Sequence, residues 1–586
     1  MATATCVISS VKCSSNNHPV GYKVNINTAL SSIVKPLTKK LENSTLKTDA
    51  GKAIKEVSNA ILNNLVDSIF QFVDQPILPS QKNFAPVKEI GELVKVDYCQ
   101  CKIPEDFPEG IYIRNGGANP LFGGLKYTVS VFGKTDNVWV EGEGMLHALH
   151  FIKDSQGNWS FHYKNRFVET DTYKMESKRK KPAFLPVAEG DAPATLVGSL
   201  FNAVRFPEFI KACHLSNHMK CENQRNSIIL HLKNLGIWNP SEKWSRPFTS
   251  HPKKAPETGE LVTVGIDTTK PYCVVGVISA DGKELVHKLD LQLDHCSLFH
   301  DIGVTKKYNI LIDFMLTMSS ERIMKGGQLF EYEREKDARI AVFPRYGDVD
   351  SVKWFHIEPC VTYHLMNCFE DGDEVVVRGC KANAAIIPGP LWGEDKFDWF
   401  SRGFDFKYVA SNNGINDDKA MKDGMLFTSV REWRLNMETL EVNERDVTGT
   451  EYSMDFPMIN ENFTGRNHQY GYTQVIDSIA SSKAGKSKYG GLAKLYFNEE
   501  DGEENVKMEY HWLPENNFCT GSAFVAKPEG LEEDDGWIVT FAHDEDNDTS
   551  YVLIVDAKNF GDEPLAKINL PQRVPYGHHG SFFLST

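Results

Sequence analysis

Eighteen histidines stand out in a chain of 586 residues that carries none of the usual nucleophile or phosphate-binding signatures. There is no Gly-x-Ser-x-Gly elbow, no Gly-x-x-x-x-Gly-Lys-Ser/Thr loop, no dinucleotide fingerprint opening a helix and no His-Glu-x-x-His. Hydrolase, kinase and nicotinamide chemistry are thereby set aside. Imidazole remains as the reactive group, and it is the neutral ligand suited to iron, zinc or copper. Local pairs occur at His147/His150, His214/His218 and His578/His579. Only His214/His218 has a spacing that a helix would place on one face, and with no third ligand nearby each pair reads as packing or surface. More informative are isolated histidines inside ordered-looking segments: 248-FTSHPKKAPETGEL-261, 296-CSLFHDIGVTKKYN-309, 354-WFHIEPCVTYHLMNCFEDGDE-374 and 574-VPYGHHGSFF-583. Sequence spacing cannot bring such distant positions together, so the elements that carry them must.

These segments, in this order, resemble the carotenoid cleavage oxygenase family, and the overall run is similar to its plant carotenoid cleavage dioxygenase branch. The resemblance spans residues 70 to 583 and includes 111-IYIRNGGANPLFGG-124, 138-VWVEGEGMLHAL-149, 346-YGDVDSVKWF-355, 456-FPMINENFTGRNHQYGY-472 and 532-EEDDGWIVTF-541. It implies a seven-bladed β-propeller with an α-helical cap over the iron-bearing face. It also implies one iron(II) per chain, held by His251, His300, His364 and His579. Four neutral imidazoles leave such an ion its full charge, unlike a site of two histidines and one carboxylate. The family aims its ligand rings with acidic residues that accept their outward N–H groups, and the matching positions are Glu222, Asp455 and Glu533. His147 matches a position near the metal cavity, where a core or wall role is expected.

The activity implied by the resemblance is cleavage by dioxygen of one conjugated double bond in a carotenoid or apocarotenoid, giving two carbonyl products. The 9,10 and/or 9′,10′ bond is expected first and the 7,8 bond second. Protein acids and bases are not required for this, since the metal and oxygen make the bonds and the protein ligates, orients and keeps water out. Three departures bear on it. The stretch 210-IKACHLSNHMKC-221 is shorter than the hairpin that precedes the acidic residue in relatives, His578 stands where relatives commonly have Phe, and Gly117-Ala118 alter the loop after Arg114. They keep open two alternatives: a degenerate member that binds carotenoid or partners without cleaving, and a polyene isomerase using the same site.

Most of the chain reads as short strands between turn residues. The run 272-YCVVGVISADGKELVHKLDL-291 is two alternating segments around Asp281-Gly282, and 374-EVVVR-378, 537-WIVTFAHD-544 and 551-YVLIVDAK-558 repeat the style. An all-β-dominated fold follows, with no fixed-period repeat to prove a propeller. Two amphipathic helices are expected, at about 52–74, where Ile54, Val57, Ile61, Leu65, Ile69 and Phe72 share a face that Pro76 closes, and at about 192–206. Either could rest on a membrane or lipid-droplet surface or simply cover the core. The acidic stretch 498-NEEDGEEN-505 reads as an exposed hairpin loop.

Composition narrows the setting. The net charge of −15 opposes nucleic-acid binding. Lys178 to Lys181 read as a solvated basic run, and no apolar stretch is long enough to span a membrane. Twelve cysteines without a C-x-x-C pair look like reduced structural thiols, Cys99 and Cys101 among them. The first 41 residues lack Asp and Glu altogether, as in an organellar transit peptide, which predicts a plastid (chloroplast or plastoglobule) location; a disordered cytoplasmic tail has the same composition. Residues 1–45 are therefore expected to be a leader and 46–586 one continuous domain.

Overall fold

In the computed structural model, the described residues are 60–585 apart from 97–98, 102, 117–118, 137–141, 206–239, 241–242, 245, 391–394, 408–423 and 502–504. The expected leader of residues 1–45, Glu222 and His214/His218 lie outside them. Strands dominate, and consecutive strands pair with one another, as expected of alternating segments separated by tight turns. One sheet runs Lys253–Lys254, Leu261–Ile266, Cys273–Ile278 and Leu285–Asp290 in chain order. The expected hairpin of 272–291 is its second half, and Gly282 at φ 72 supplies the turn conformation that a side chain would strain. The next sheet holds Gly303–Val304, Tyr308–Asp313, Ala338–Pro344 and Lys353–Ile357, and the next Val361–Asp371, Glu374–Ala382, Thr428–Asn436 and Val442–Asp446.

Two sheets join distant parts of the chain. The C-terminal strand Gly577–Leu584 pairs antiparallel with Gly110–Gly116, which continues to Met145–Lys153 and Trp159–Phe167. Cys99–Cys101 pairs with Ala566–Asn569 at the end of the long sheet that starts at Met454–Met458. Tyr489–Asp501 and Asn505–Trp512 form the hairpin expected around the acidic stretch.

The strands that deliver candidate ligands are irregular where they do so. Register shifts occur between Val361 and His364, between Asp455 and Met458, and between Gly577 and Gly580. A bulge breaks the two-residue alternation and re-aims side chains, which regular strands cannot do.

Buried apolar side chains pass continuously between sheets. Val262, Val264, Ile310, Ile340, Phe355, Val377 and Trp433 belong to one cluster spanning three of them. Each such side chain contributes ~1.5–3 kcal/mol relative to exposure, so the frame behind the histidines is firmly held.

The first expected helix is shorter than its periodicity suggested. Residues 60–69 are helical, but Phe70–Asp74 is a strand paired with Lys126–Ser130. FQFVD is rich in β-branched and aromatic residues, and a free sheet edge outweighs the helical pattern there. The second helix, Ala192–Arg205, buries Val197 and Phe201 against Leu62, Val66 and Phe70. Ile61, Leu200 and Val204 remain exposed. No described helix is long and apolar enough to cross a membrane. The basic run is less free than expected, since Arg179 and Lys181 both pair with Asp67. The six described free cysteines with placed side chains are all buried.

Candidate metal centre

His251 follows a loop that ends in a single parallel backbone bridge between His251 and Asp301. The Thr249 hydroxyl links this loop to the next one: it accepts the His251 N–H at 3.2 Å and donates to the His300 carbonyl at 2.7 Å. His364 sits at its strand bulge and His579 at the C-terminal one. Their rings converge. The Nε2 atoms of His251 and His300 lie 3.1 Å apart, as do those of His364 and His579, and one nitrogen from each of the four lies within 4.8 Å of the others.

Two close nitrogens on neutral rings repel through their lone pairs unless a proton or a cation lies between them. The tautomer decides which. His364 Nδ1 is 2.8 Å from Asp455 Oδ1, and a carboxylate there fixes the proton on Nδ1 and leaves the Nε2 lone pair aimed at the centre. Burial, then the neighbouring histidines, hold His251 and His579 well below the usual histidine range; burial does the same for His300, followed by His364. Four imidazole nitrogens converging on one point fit a divalent transition ion. Neighbouring imidazoles bound at ~2.1 Å and at right angles would stand ~3 Å apart, the spacing of both close pairs.

Asp455 has a second task. Its Oδ1 also accepts the Phe456 N–H at 2.7 Å. Phe456 has φ 56, a left-handed conformation rare for an aromatic residue, and it precedes Pro457. The strain buys position: the Phe456 ring lies 4.9 Å from that of His364 and 4.7 Å from that of His579, with Tyr489 behind it at 5.4 Å. Tyr363 stands 5.8 Å from His300 on another side.

The other expected residues fall elsewhere. Glu533 does not orient a ligand ring: its two oxygens accept the backbone N–H groups of Gln469 and Tyr470 at 2.7 and 2.9 Å, as an acid opening a strand does. Of the three expected acidic partners, Asp455 is the one bonded to a cluster histidine among the described residues. His578 and His579 alternate along one strand, and only the His579 nitrogen joins the cluster. Burial, then the Arg114 charge, pushes His578 down to about 4. Gly580 is required beside them, because a Cβ there would meet the Gly521 carbonyl oxygen at 1.8 Å. His147 is a core residue whose Nδ1 meets the Tyr163 hydroxyl at 2.8 Å.

Asp301 escaped the sequence reading. Its Oδ2 accepts the Leu365 N–H at 2.9 Å, its Oδ1 accepts the Ile302 N–H at 2.7 Å, and Lys253 Nζ lies 3.2 Å from Oδ1. One buried carboxylate thus ties the segments bearing His251, His300 and His364. A sequence signal existed, an Asp directly after an isolated His, but such an Asp is also an ordinary turn residue.

Glu143, in the 138–149 segment, makes a testable contribution to pH dependence. Burial, then the nearby Glu176, raises its carboxyl to about 8. The folded chain keeps that proton up to about pH 8, whereas the unfolded chain releases it near the ordinary value of 4.5. Over that window the native state binds the extra proton, so the contribution of Glu143 to stability falls as pH rises, with a slope approaching ~1.4 kcal/mol per pH unit for one proton. The buried histidines, held below their usual range, act with the opposite sign below about pH 6.5, so the measurement is a difference: urea unfolding of the parent and of Glu143→Gln at intervals between pH 5 and 8 should show the parent losing stability relative to the variant as pH rises.

Comparison with known proteins adds a second line. The sequence pattern of the family described as retinal pigment epithelial membrane protein matches residues 84–584. A carotenoid 9,10(9′,10′)-cleavage dioxygenase 1 from Pisum sativum is 28% identical over 559 residues, covering 89% of this chain and 93% of that one. A carotenoid 9,10(9′,10′)-cleavage dioxygenase from Crocus sativus is 29% identical over 478 residues, covering 76% and 80%. Among solved structures, Pseudomonas brassicacearum lignostilbene dioxygenase superposes with a TM-score of 0.65 at 17% identity, covering 88% of this chain and 100% of that one. A cobalt-substituted Synechocystis apocarotenoid oxygenase does so with a TM-score of 0.62 at 18% identity, covering 87% and 100%. At these identities the structural likenesses establish the fold.

Proposed function

Because the chain belongs to the retinal pigment epithelial membrane protein family of carotenoid oxygenases, we propose that it is an iron(II) dioxygenase that cleaves a conjugated double bond of a carotenoid or apocarotenoid into two carbonyl products. The observation that carries this reading is the convergence of four imidazole nitrogens, with Asp455 bonded to the Nδ1 of His364. His251, His300, His364 and His579 would hold one iron(II), which when bound supplies activation of dioxygen for attack on an electron-rich polyene.

The remaining residues position and exclude. Asp455, Asp301 and Thr249 hold the histidine-bearing segments in place through the bonds described above. Phe456, backed by Tyr489, and Tyr363 present aromatic surface beside the cluster, suited to an apolar polyene and poorly suited to water. The 9,10 and/or 9′,10′ bond is the proposed target, on the names of the Pisum and Crocus relatives. We read residues 46–586 as one seven-bladed propeller with a helical cap. The successive antiparallel sheets and the pairing of Gly577–Leu584 with Gly110–Gly116 support ring closure. Exposed Ile61, Leu200 and Val204 suit peripheral contact with a membrane or lipid droplet that holds the substrate. The acid-free leader supports a plastid location.

The test is anaerobic loading with iron(II), admission of air with a detergent-dispersed carotenoid, and mass analysis of products. Two carbonyl fragments whose masses sum to substrate plus dioxygen are expected and locate the bond. Bound iron with intact substrate would overturn cleavage in favour of a binding protein, and an isomerised polyene without oxygen uptake would point to the isomerase alternative.

A further inference from the structure

The bulge that delivers His579 faces a second irregular strand. Gly577 pairs with Gly116 and Gly580 with Arg114, so His578 and His579 together stand opposite the single residue Asn115. The strand Asn517–Ala526, whose register shifts between Thr520 and Ala523, lies against them, with the Gly521 carbonyl pressed on Gly580. In a bulge two residues share one place in the ladder, and a slip by one exchanges them. Here both are histidines, so a slip would send a different imidazole to the cluster without removing any donor from the chain.

Arg114 fills the space between the two irregular strands. It is wholly buried, its Nη2 donates to the Pro575 carbonyl at 2.5 Å and its Nη1 to the Thr520 hydroxyl, and its guanidinium lies 5.3 Å from the centre of the Phe541 ring. One side chain thus grips both strands next to the points where they leave regular pairing. Glycines line the contact: a Cβ at Gly521 would collide with the Arg114 stem and stand 2.7 Å from the His578 carbonyl oxygen, and one at Gly577 would stand 3.0 Å from the guanidinium carbon. Tyr112, on the same strand as Arg114, donates its hydroxyl to the Gly521 carbonyl. Among the described residues no carboxylate pairs with Arg114, and its Nε has no hydrogen-bond partner. A guanidinium buried without a counter-ion works against stability. Charge pairing therefore does not account for it, and the two strand contacts are what an apolar side chain of equal size would lack.

We propose that Arg114 is a positioning residue for the metal centre, a register lock that fixes the His578–His579 bulge so that His579 and not His578 joins the other three histidines. It touches neither metal nor substrate and acts through the strand Gly577–Leu584. The inference rests on the four-histidine metal site and is independent of which bond that metal helps to cleave.

The full chain is titrated with cobalt(II), whose visible bands report the number and geometry of its nitrogen donors, in the parent, Arg114→Met, His578→Phe and the double variant, with circular dichroism as the folding control. His578→Phe should keep the parent bands. Arg114→Met should show altered bands and about tenfold or more weaker cobalt binding, the loss expected when the support of a ligand is removed. Adding His578→Phe to Arg114→Met should restore the parent bands at saturating cobalt, because His579 is then the one imidazole left at the bulge. If Arg114→Met does not fold, Arg114→Lys takes its place: it keeps the stem and the charge but cannot hold Pro575 and Thr520 together, so the same change and the same rescue are expected at smaller amplitude. Altered bands in His578→Phe alone, parent bands in the folded Arg114 variant, or altered bands that His578→Phe does not rescue each overturn the lock. A parent that binds no cobalt overturns the metal centre and the lock with it, whereas cobalt binding by the parent with no change in the Arg114 variant defeats the lock alone.

Discussion

His364→Ala will give a folded chain that no longer retains iron(II). His364 faces all three of the other rings, with ring centres 5.3, 5.3 and 4.7 Å from those of His251, His300 and His579. It is also the ring whose tautomer is fixed, by Asp455 at 2.8 Å. Its removal takes away a donor already desolvated and aimed, and three imidazoles must then hold the ion with one side open. Asp455 keeps the Phe456 N–H as a partner, so the strained turn has reason to persist. Asp455→Ala should be milder, lowering metal affinity by about 10- to 100-fold, as loss of a residue that orients a ligand ring does. Iron titration of the anaerobic protein, with circular dichroism as the control for folding, checks the order His364→Ala worse than Asp455→Ala worse than the parent. Equal iron retention by all three would place the metal somewhere other than this cluster.

The contrast between what periodicity revealed and what it hid has a physical origin. The hairpin of 272–291 was legible because alternation and a turn residue are properties of one short segment, and so was the helix Ala192–Arg205. The helix expected to run to residue 74 failed at Phe70 because the competing partner, Lys126–Ser130, lies more than fifty residues away. The site is more extreme in this respect. His251 and His300 are separated by 49 positions, and His364 and His579 by 215. Nothing in a one-dimensional pattern couples such residues; the resemblance named them together, and the sheets bring them together. Resemblance was less able to say what each acid does. Asp455 reaches the His364 ring, whereas Glu533 is spent on the backbone at the start of Tyr470–Ile476. Whether a carboxylate meets an imidazole or an amide N–H is decided by a few ångströms of strand offset, which bulges set and sequence alternation does not report.

Asp301→Ala should destabilise the fold and the metal seat together. The substitution leaves the buried Leu365 N–H without its acceptor and Lys253 without its partner. Lys253 is partly solvated, so its loss is cushioned, and the larger cost comes from the buried amide and the charge-assisted bonds, about 3 kcal/mol in all. Asp301→Asn should cost roughly half of that, because its one acceptor oxygen can still serve a backbone N–H. The effect on metal follows from which segments the carboxylate joins. His300 is its chain neighbour, His251 bridges to it through the backbone, and Leu365 follows His364. A shift of a few tenths of an ångström in any one of them misaims a nitrogen that must converge within 4.8 Å of three others. Urea unfolding and iron titration on the same samples should therefore move in parallel through parent, Asp301→Asn and Asp301→Ala. Loss of stability with unchanged iron affinity would show that the four histidines are held by their own strands, and that Asp301 braces the fold without setting the site.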